Sequence, residues 1–475
     1  MGSEWPLVKL GEYCCKIGSG ATPKGGSSVY LDAGDVCLIR SQNIYNDGFE
    51  EGGLVYIDEV AAAKLRNVIV EHNDILLNIT GDSVARVCLV PDAYLPARVN
   101  QHVAIIRPNK EHFDARFLRY FLASPKTQIL LLNLSSAGAT RNALTKSMIE
   151  NFEVPKPSLS VQVFIANILQ ILDDKIMKNR QINQTLEQMA QTLFKSWFVD
   201  FDPVVDNALD AGFFEQDLAF SDELLRRVEV RKAVRESDNF KPLSEDIRRL
   251  FPNAFEECAE PALGLGGWMP KGWMSKSISD AIFINPKVNL AKDTVAKFVD
   301  MKALPTSGYS IEEVSEKPFS GGMKFQNNDI LLARITPCLE NGKTGIVDFL
   351  SENEAGFGST EFIILRGNKN IHYSYIACLA RYESFRQHVI QSMVGSSGRQ
   401  RVQNGCFNDY KIAVPSGEVM NRFADIVSPS FKKLTQNTNE SRSLTKLRDT
   451  LLPKLISGEL SLSDIKIDIP EETLI

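Results

Sequence analysis

Short polar loops hold the residues of this chain that are best suited to direct chemistry with a partner. These loops span residues 18–24, 40–43, 80–82, 100–102 and 140–142. Arginine and lysine side chains match the acceptor edge of guanine, and asparagine and glutamine match the edge of adenine. The loops therefore have the residue types that contact base edges. Simple drift of loop sequences is the alternative explanation at any single position.

The sequence contains partial matches to known nucleotide-binding motifs, but each lacks a residue or element that the motif requires. Residues 264–267 resemble a dinucleotide-binding loop, but Trp268-Met269-Pro270 cannot open the helix that such a loop requires. Gly342-Lys343-Thr344 resembles the end of a phosphate-binding loop, yet Pro337 occupies the position of its first glycine. No Asn-Pro-Pro-Tyr or Asp-Pro-Pro-Tyr tetrad of an amino-methyltransferase occurs. We therefore predict a chain without a catalytic site, and a nuclease or methyltransferase with unrecognised motifs is the enzymatic alternative.

The cysteines and histidines do not have the spacing of metal ligands. The eight cysteines include no CxxC pair, and the five histidines are isolated from them and from each other. We expect reduced, packed thiols, no metal site and no cofactor bound by this chain.

Composition is that of a globular protein, with 44% hydrophobic and 24% charged residues in 475. No apolar run is long enough to span a membrane, and residues 1–5 lack the features of a signal peptide, so the expected location is the cytoplasm. The net charge of −6 argues against unaided binding to nucleic acid, because basic side chains supply most of the phosphate affinity. Any DNA contact must come from local loops or from a partner.

An internal repeat is the strongest signal in the sequence. Four segments recur in the same order after about 255 to 260 residues, which is difficult to obtain by chance. The matched segments are Asn73-Asp74-Ile75-Leu76-Leu77 (then Ile79-Thr80) with Asn328-Asp329-Ile330-Leu331-Leu332 (then Ile335-Thr336), residues 101–107 with 360–366, residues 138–141 with 398–401, and Val154-Pro155 with Val414-Pro415.

Polar residues differ between the two copies while the framework is kept. Arg40 corresponds to Asp300, and Gln42 corresponds to Lys302. Residues 100–102 correspond to 359–361, and Thr140 corresponds to Gln400. Such divergence is expected if each copy reads its own pattern of donors and acceptors.

Helical periodicity follows each Val-Pro pair. Residues 165–197 and 423–455 carry apolar side chains at alternating steps of three and four, and a shift of 258 residues places Asn179 on Asn437. Each helix has a stripe that another helix can cover, so we expect an antiparallel, coiled-coil-like pair. Two helices packed separately on their own domains are the alternative. Pro429, after Ser428, predicts a kink or a new helix start in the second.

These observations predict an α+β fold with two similar domains, each followed by a long helix, in a pseudo-twofold arrangement. The expected boundaries are 1–156 for the first domain, 157–200 for its helix, 201–266 for a connector, 267–415 for the second domain, and 416–475 for the C-terminal helix and tail.

Three segments resemble one known family. These are residues 193–203, residues 250–253 before 270–273, and residues 447–459. They are similar to the helix and linker patterns of the specificity subunit of type I restriction-modification systems, over essentially the full chain.

The resemblance implies a non-catalytic subunit in which each target recognition domain reads one part of a bipartite, asymmetric DNA site and the paired helices fix the spacer. It also implies two methyltransferase subunits that bind S-adenosylmethionine, together with motor-nuclease subunits. A duplicated nucleic-acid-binding scaffold unrelated to methylation is the alternative. An RNA-binding role is less favoured, because the loops are poor in aromatic residues.

Candidate contact residues follow from the loops and the helices. The candidates for DNA contact are Lys24, Gln42, Thr80, Asn100, Gln101, His102 and Arg141 in the first copy, and Lys302, Thr336, Thr360, Glu361, Arg399 and Arg401 in the second. The candidates for partner docking on the helices are Leu186, Met189, Leu193, Leu444, Leu447 and Leu451.

Overall fold

The computed structural model forms two compact units. Unit 1 comprises Met1–Met177 and Ser441–Ile475, and unit 2 comprises Lys178–Glu440. The described residues are 5–136, 142–258, 264–311, 313–396 and 398–459. This division assigns the expected connector to unit 2 and gives each unit part of both long helices.

Unit 1 opens with short strands and helices. Its strands are β1 (Leu7–Lys9), β2 (Cys14–Ser19), β3 (Val36–Ile39), β4 (Ile44–Tyr45), β5 (Gly48–Phe49), β6 (Val55–Ile57), β7 (Ile69–Val70), β8 (Ile75–Asn78), β9 (Val87–Leu89), β10 (Ala97–Val99), β11 (Val103–Pro108) and β12 (Glu153–Pro155). Its helices are α1 (Glu59–Lys64), α2 (Ala115–Ala123), α3 (Pro125–Ser136) and α4 (Lys146–Glu150), and the long helix α5 (Leu159–Phe198) then runs on into unit 2.

Unit 2 contains the predicted connector, residues 201–266, and the second copy. Its helices are α6 (Asp202–Asp210), α7 (Asp222–Arg235), α8 (Glu245–Arg248), α9 (Ile278–Ala281), α10 (Tyr373–Arg381), α11 (Glu383–Gln391), α12 (Cys406–Asp409) and the first part of α13 (Gly417–Ser457). Its strands are β13 (Phe255–Glu257), β14 (Trp268–Pro270), β15 (Met274–Ser277), β16 (Phe283–Ile284), β17 (Val295–Val299), β18 (Ser315–Pro318), β19 (Met323–Phe325), β20 (Ile330–Ala333), β21 (Thr344–Ile346), β22 (Gly356–Gly358), β23 (Phe362–Arg366) and β24 (Lys411–Val414).

The two units have the same sheet topology. Unit 1 has the strand orders β2-β11-β8-β9 and β6-β3-β10-β7, and unit 2 has β16-β23-β20-β21 and β18-β17-β22-β19. The second sheet of each unit contains one parallel pair, β3 with β10 and β17 with β22. The repeat is therefore a repeat of fold, and the predicted α+β class is confirmed.

Alternating burial explains why strands β8 and β20 contain continuous runs of apolar residues in the sequence. In β8, Ile75 and Leu77 enter one core of unit 1, and Leu76 enters the other. In β20, Ile330 and Leu332 face one core of unit 2, and Leu331 faces the second. Since successive side chains of a strand point to opposite faces, a strand covered on both sides must be apolar throughout.

The long helices pair antiparallel within each unit. In unit 2, Asn179 Nδ2 donates to Glu440 Oε2 at 2.9 Å, and Asn437 Nδ2 donates to Asn183 Oδ1 at 2.9 Å. In unit 1, Arg448 Nη1 donates to Asp173 Oδ1 at 2.8 Å. Residues later in α5 thus meet residues earlier in α13. The alternative of helices packed separately on their own domains is wrong within both units.

Helix α13 is continuous through Pro429, so the predicted fresh start with Ser428 as N-cap is wrong, whereas the kink stays a prediction. Phe423 and Val427 before the proline, and Phe431 and Leu434 after it, are buried in the core of unit 2. This packing on both sides offsets the missing hydrogen bond, which costs about 3 kcal/mol in a helix interior.

The described residues of the predicted connector pack around the C-terminal end of α5. Trp197 contacts Phe251 edge to face with ring centroids 4.9 Å apart, and Arg231 makes two hydrogen bonds to Asp206. Ser221 caps α7, as a helix starting there requires. No helix within the described ranges is long and apolar enough to cross a membrane.

Candidate nucleic-acid interface

Four loops of unit 1 meet at one edge of its two sheets. Gly20 N donates to Val103 O at 2.7 Å, and Asn100 N donates to Ile39 O at 3.1 Å. Ile79 N donates to His102 O at 2.9 Å. A Cβ on Gly20 would lie 2.2 Å from the backbone oxygens of Val99 and Asn100, so only glycine allows these two segments to approach this closely.

Side chains at this edge form a continuous polar chain. Thr80 Oγ1 lies 2.6 Å from His102 Nδ1, and His102 Nε2 lies 3.3 Å from Gln101 Nε2. Thr22 Oγ1 donates to Gln101 Oε1 at 3.1 Å. The buried Asn100 accepts the His102 backbone N–H at 3.2 Å and so shapes the turn. Four of the predicted contact residues therefore lie together.

Two further candidates of unit 1, Gln42 and Lys24, lie in the loops 40–43 and 18–24. Gln42 is exposed and donates to Gly53 O at 3.2 Å. Its neighbour Ser41 accepts a hydrogen bond from Asn78 at 2.8 Å, which ties this loop to the same edge. Lys24 is exposed. Arg141 lies outside the described residues.

An ion pair dominates the corresponding edge of unit 2. Arg401 Nη2 donates to Glu361 Oε1 at 2.7 Å, and Arg401 Nε donates to both carboxylate oxygens at 3.0 Å. These hydrogen bonds hold the pKa of the Glu361 carboxyl below its usual range. Arg334 Nε lies 4.0 Å from the same carboxylate. A guanidinium fixed in this way presents its remaining N–H groups in a defined direction, as recognition of a base edge requires.

The other candidates of unit 2 differ in burial and in their contacts. Thr336 is nearly buried and accepts the Gln400 backbone N–H at 3.0 Å, so it supports the loop. Lys302 is exposed and pairs with Glu313 at 3.0 Å, which raises the pKa of the lysine. Thr360 and Arg399 are exposed.

Backbone contacts correct the alignment of the two edges. Thr80 bridges Ala143 in unit 1, and Ile335 bridges Arg401 in unit 2. Thr80 therefore corresponds to Ile335, and Ala143 corresponds to Arg401. The match of Thr80 with Thr336 is wrong by one residue. His102 and Glu361 do correspond, because their carbonyls accept equivalent hydrogen bonds from Ile79 and Arg334.

Sequence reasoning missed Thr22 and Arg334, which contact or approach the predicted side chains. Arg334 follows the matched Asn-Asp-Ile-Leu-Leu segment by two residues, where unit 1 has Ile79. The available signal for Arg334 was the charged side chain at a position where the first copy has the apolar Ile79, next to a polar loop.

The predicted docking residues divide into two groups. Leu186 and Leu193 pack against the core of unit 2, and Leu451 packs against a core of unit 1. Leu444 is half-buried. Met189 is 61% exposed and Leu447 is 46% exposed, so these two have the most surface for a partner.

The described part of the chain contains no group of three or more His, Cys, Asp or Glu residues arranged to hold a metal ion. All eight cysteines are free thiols. Burial raises the pKa of Cys37 to about 11 and, with the neighbouring Cys15, raises that of Cys14 to about 12, so neither is activated as a nucleophile.

Known proteins resemble this chain in sequence and fold. A family model described as the type I restriction modification DNA specificity domain matches residues 2–188. The type I restriction enzyme HindI specificity subunit of Haemophilus influenzae is 27% identical over 76% of this chain and 81% of its own length. The MjaIX specificity subunit of Methanocaldococcus jannaschii is 26% identical over 97% of this chain and 95% of its own length. The crystal structure of a type I restriction-modification S subunit from M. genitalium has a TM-score of 0.55 at 15% identity, covering 95% of this chain and 96% of that one, which shows a shared fold.

Proposed function

The chain belongs to the specificity subunits of type I restriction-modification systems, and from this premise we propose that it reads a bipartite, asymmetric DNA target with one part assigned to each unit. The bases are read at the two polar edges described above. The chain itself carries out no chemistry.

One observation carries this proposal: two units of the same topology have different side chains at equivalent edge positions. Unit 1 places the hydrogen-bonded side chains of Thr80, His102 and Gln101 where unit 2 places the Glu361–Arg401 ion pair. A carboxylate accepts from an amino group, whereas a threonine or an amide can both donate and accept. Two such edges select different base patterns on the same duplex.

Partners complete the proposed activity. Two methyltransferase subunits dock on the helical region, bind S-adenosylmethionine and modify adenine, while this chain binds no cofactor. Motor-nuclease subunits join for cleavage. This division of labour accounts for the net charge of −6, because the partners can provide phosphate contacts that this chain lacks. The cytoplasm is the proposed site of action.

Mapping of methylated adenines tests the proposal. The chain is co-expressed with its cognate methyltransferase subunit in a host without adenine methylation, and methyladenine positions are read across the genome. We expect one motif with two specified parts separated by unspecified bases. Methylation at a single continuous motif, or none from an assembled complex, would contradict the proposal.

A further inference from the structure

A cluster of four residues, called here the polar junction, connects three helices within unit 1. Its members are Arg119 and Tyr120 on α2, Asp173 on α5 and Arg448 on α13. Asp173 Oδ2 accepts from Tyr120 Oη at 2.7 Å and from Arg119 Nη1 at 3.2 Å, and Asp173 Oδ1 accepts from Arg448 at 2.8 Å. One carboxylate thus holds two arginines in a largely buried position.

Arg119 extends the polar junction to the hairpin formed by β4 and β5. Its Nη2 donates to Asn46 O at 2.6 Å, in the turn of that hairpin. The side chain of Asn46 accepts a hydrogen bond from Val87 N at 2.9 Å. Asn43 Nδ2 donates to Glu50 O at 2.9 Å and closes the base of the hairpin next to Gln42. The hairpin therefore supports one of the loops at the reading edge.

Unit 2 has the same junction without charges. Helices α2 and α10 begin 258 residues apart, at Ala115 and Tyr373, and α5 and α13 also begin 258 residues apart, at Leu159 and Gly417. The four positions that correspond to the polar junction at this spacing are Ala377, Cys378, Phe431 and Ala190. All four are buried in the core of unit 2, and Cys378 Sγ lies 3.8 Å from Ala190 O.

The two junctions indicate that the charges in unit 1 position a loop and are not needed to form the helix arrangement. Buried ion pairs are often replaceable by apolar residues without loss of stability, and unit 2 shows that this helix arrangement forms with an apolar junction. Charges are therefore not required at these positions for the fold. What the polar junction adds in unit 1 is the hydrogen bond to the hairpin turn.

Unit 2 supports the loop that follows Lys302 through a different arginine. This arginine lies on α10, the helix that corresponds to α2. Arg381, one helical turn beyond Ala377, donates to Thr306 O at 3.0 Å and also to Gly308 O. Gln191 on α5 donates to Tyr309 Oη at 2.6 Å. This loop follows Lys302. Both units thus use an arginine of one helix to hold backbone carbonyls near the reading edge.

We propose that Arg119 and Asp173 are positioning residues for recognition of the first part of the DNA target. They fix the β4–β5 hairpin, and Arg448 makes that fixation depend on the C-terminal helix. The inference rests on the proposed function for its DNA readout, but the hairpin itself can be measured without DNA.

Transplanting the apolar junction is the decisive experiment. A variant with Arg119→Ala, Tyr120→Cys, Asp173→Phe and Arg448→Ala carries the residues of unit 2 at the corresponding positions. Asp173→Asn is a milder second variant. Asp174→Asn is the matched control, since it removes the same charge from the neighbouring residue, whose side chain accepts from Gln170 within α5 at 2.7 Å.

Two measurements are made on the full chain in complex with its methyltransferase. In both junction variants we expect amide hydrogen exchange of residues 44–49 to be at least about tenfold faster, because the hairpin loses its anchor. We also expect the first part of the methylation motif to become degenerate while the second part is unchanged. The Asp174→Asn control should match the unaltered chain in both measurements.

Unchanged hairpin exchange in Asp173→Asn overturns the inference, and so does equal degeneracy in both parts of the motif. If the fourfold variant does not fold, an apolar junction is not tolerated in unit 1 and the separation of folding from positioning is wrong. Failure of the unaltered complex to show any two-part motif rejects the proposed function instead, and hairpin exchange still decides the role of the junction.

Discussion

Arg107 binds the buried carboxylate of Asp74 through two hydrogen bonds, from Nε to Oδ1 at 2.7 Å and from Nη2 to Oδ2 at 2.8 Å. Unit 2 repeats this pair between Arg366 and Asp329 at 2.6 and 2.7 Å. Both aspartates are 0% exposed. The pair joins the start of one framework strand to the end of its neighbour, which explains why these residues persist while the loops differ.

Replacing Asp74 with asparagine should destabilise unit 1 by about 3–5 kcal/mol, because it removes the buried partner of a charged guanidinium. Denaturant unfolding followed by circular dichroism measures the change. Asp92→Asn is the control in the same unit. Its pair with His72 is about two-thirds exposed, at 65% and 66%, so the expected change is below about 1 kcal/mol. Equal changes in the two variants would show that burial of the pair is unimportant.

Arg401→Ala should weaken or relax reading of the second part of the DNA target alone. Loss of a two-point contact to a base corresponds to about a tenfold to hundredfold loss of discrimination. Binding is measured with duplexes that are altered in one part at a time. His102→Ala is the matching variant in unit 1 and should affect the first part alone. Equal loss at both parts in either variant would refute the assignment of one part to each unit.

The Glu361–Arg401 pair predicts a specific dependence on pH. Hydrogen bonds from Arg401 lower the pKa of Glu361 in the folded protein below its unfolded value, which is about 4.3. A lowered folded pKa means that the pair stabilises unit 2 above the unfolded value and that this contribution is lost as pH falls through the folded value. Melting of the unaltered chain and of Glu361→Gln should therefore differ at pH 6 and converge in acid. A difference that grows as pH falls would contradict this pairing.

The repeat was predictable because burial on both sheet faces constrains the framework segments. Ile75, Leu76 and Leu77 each enter a core, so their apolar character recurs in unit 2. Thr80 lies in a loop without that constraint, and matching residue types there gave the wrong register. Backbone hydrogen bonds between distant residues set the true register, and a single sequence does not record them.

The sequence also did not reveal which residues the predicted contact residues pair with. Glu361 and Arg401 are both candidates by residue type, but they are 40 positions apart and their ion pair depends on the fold of the intervening helices. The same holds for the polar junction, where Asp173 and Arg448 are 275 positions apart. Periodicity placed both residues on long helices, and only the antiparallel pairing brings their charges together.

Asn183 and Asn437, on the paired helices of unit 2, should be strongly coupled in their contributions to stability. Asn437→Leu removes the donor to Asn183 Oδ1 and leaves that side chain in a helix seam with fewer hydrogen bonds, at a cost of about 1–3 kcal/mol. Adding Asn183→Leu should recover part of this loss, since both sides then become apolar. A double-mutant cycle from unfolding free energies measures the coupling. Additive effects of the two substitutions would show that this hydrogen bond does not contribute to pairing.

Pro429→Ala should stabilise unit 2, because the helix passes through this position and the proline provides no backbone N–H for the preceding turn. The residue is exposed, so alanine creates no cavity, and the expected gain is about 1–3 kcal/mol in unfolding free energy. Lys433→Ala, at an exposed position one turn later, is the control and should change stability by less than about 0.5 kcal/mol. If Pro429→Ala instead lowers stability, a local bend at the proline is needed to seat Phe431 and Leu434 in the core, and the packing around α13 depends on that bend.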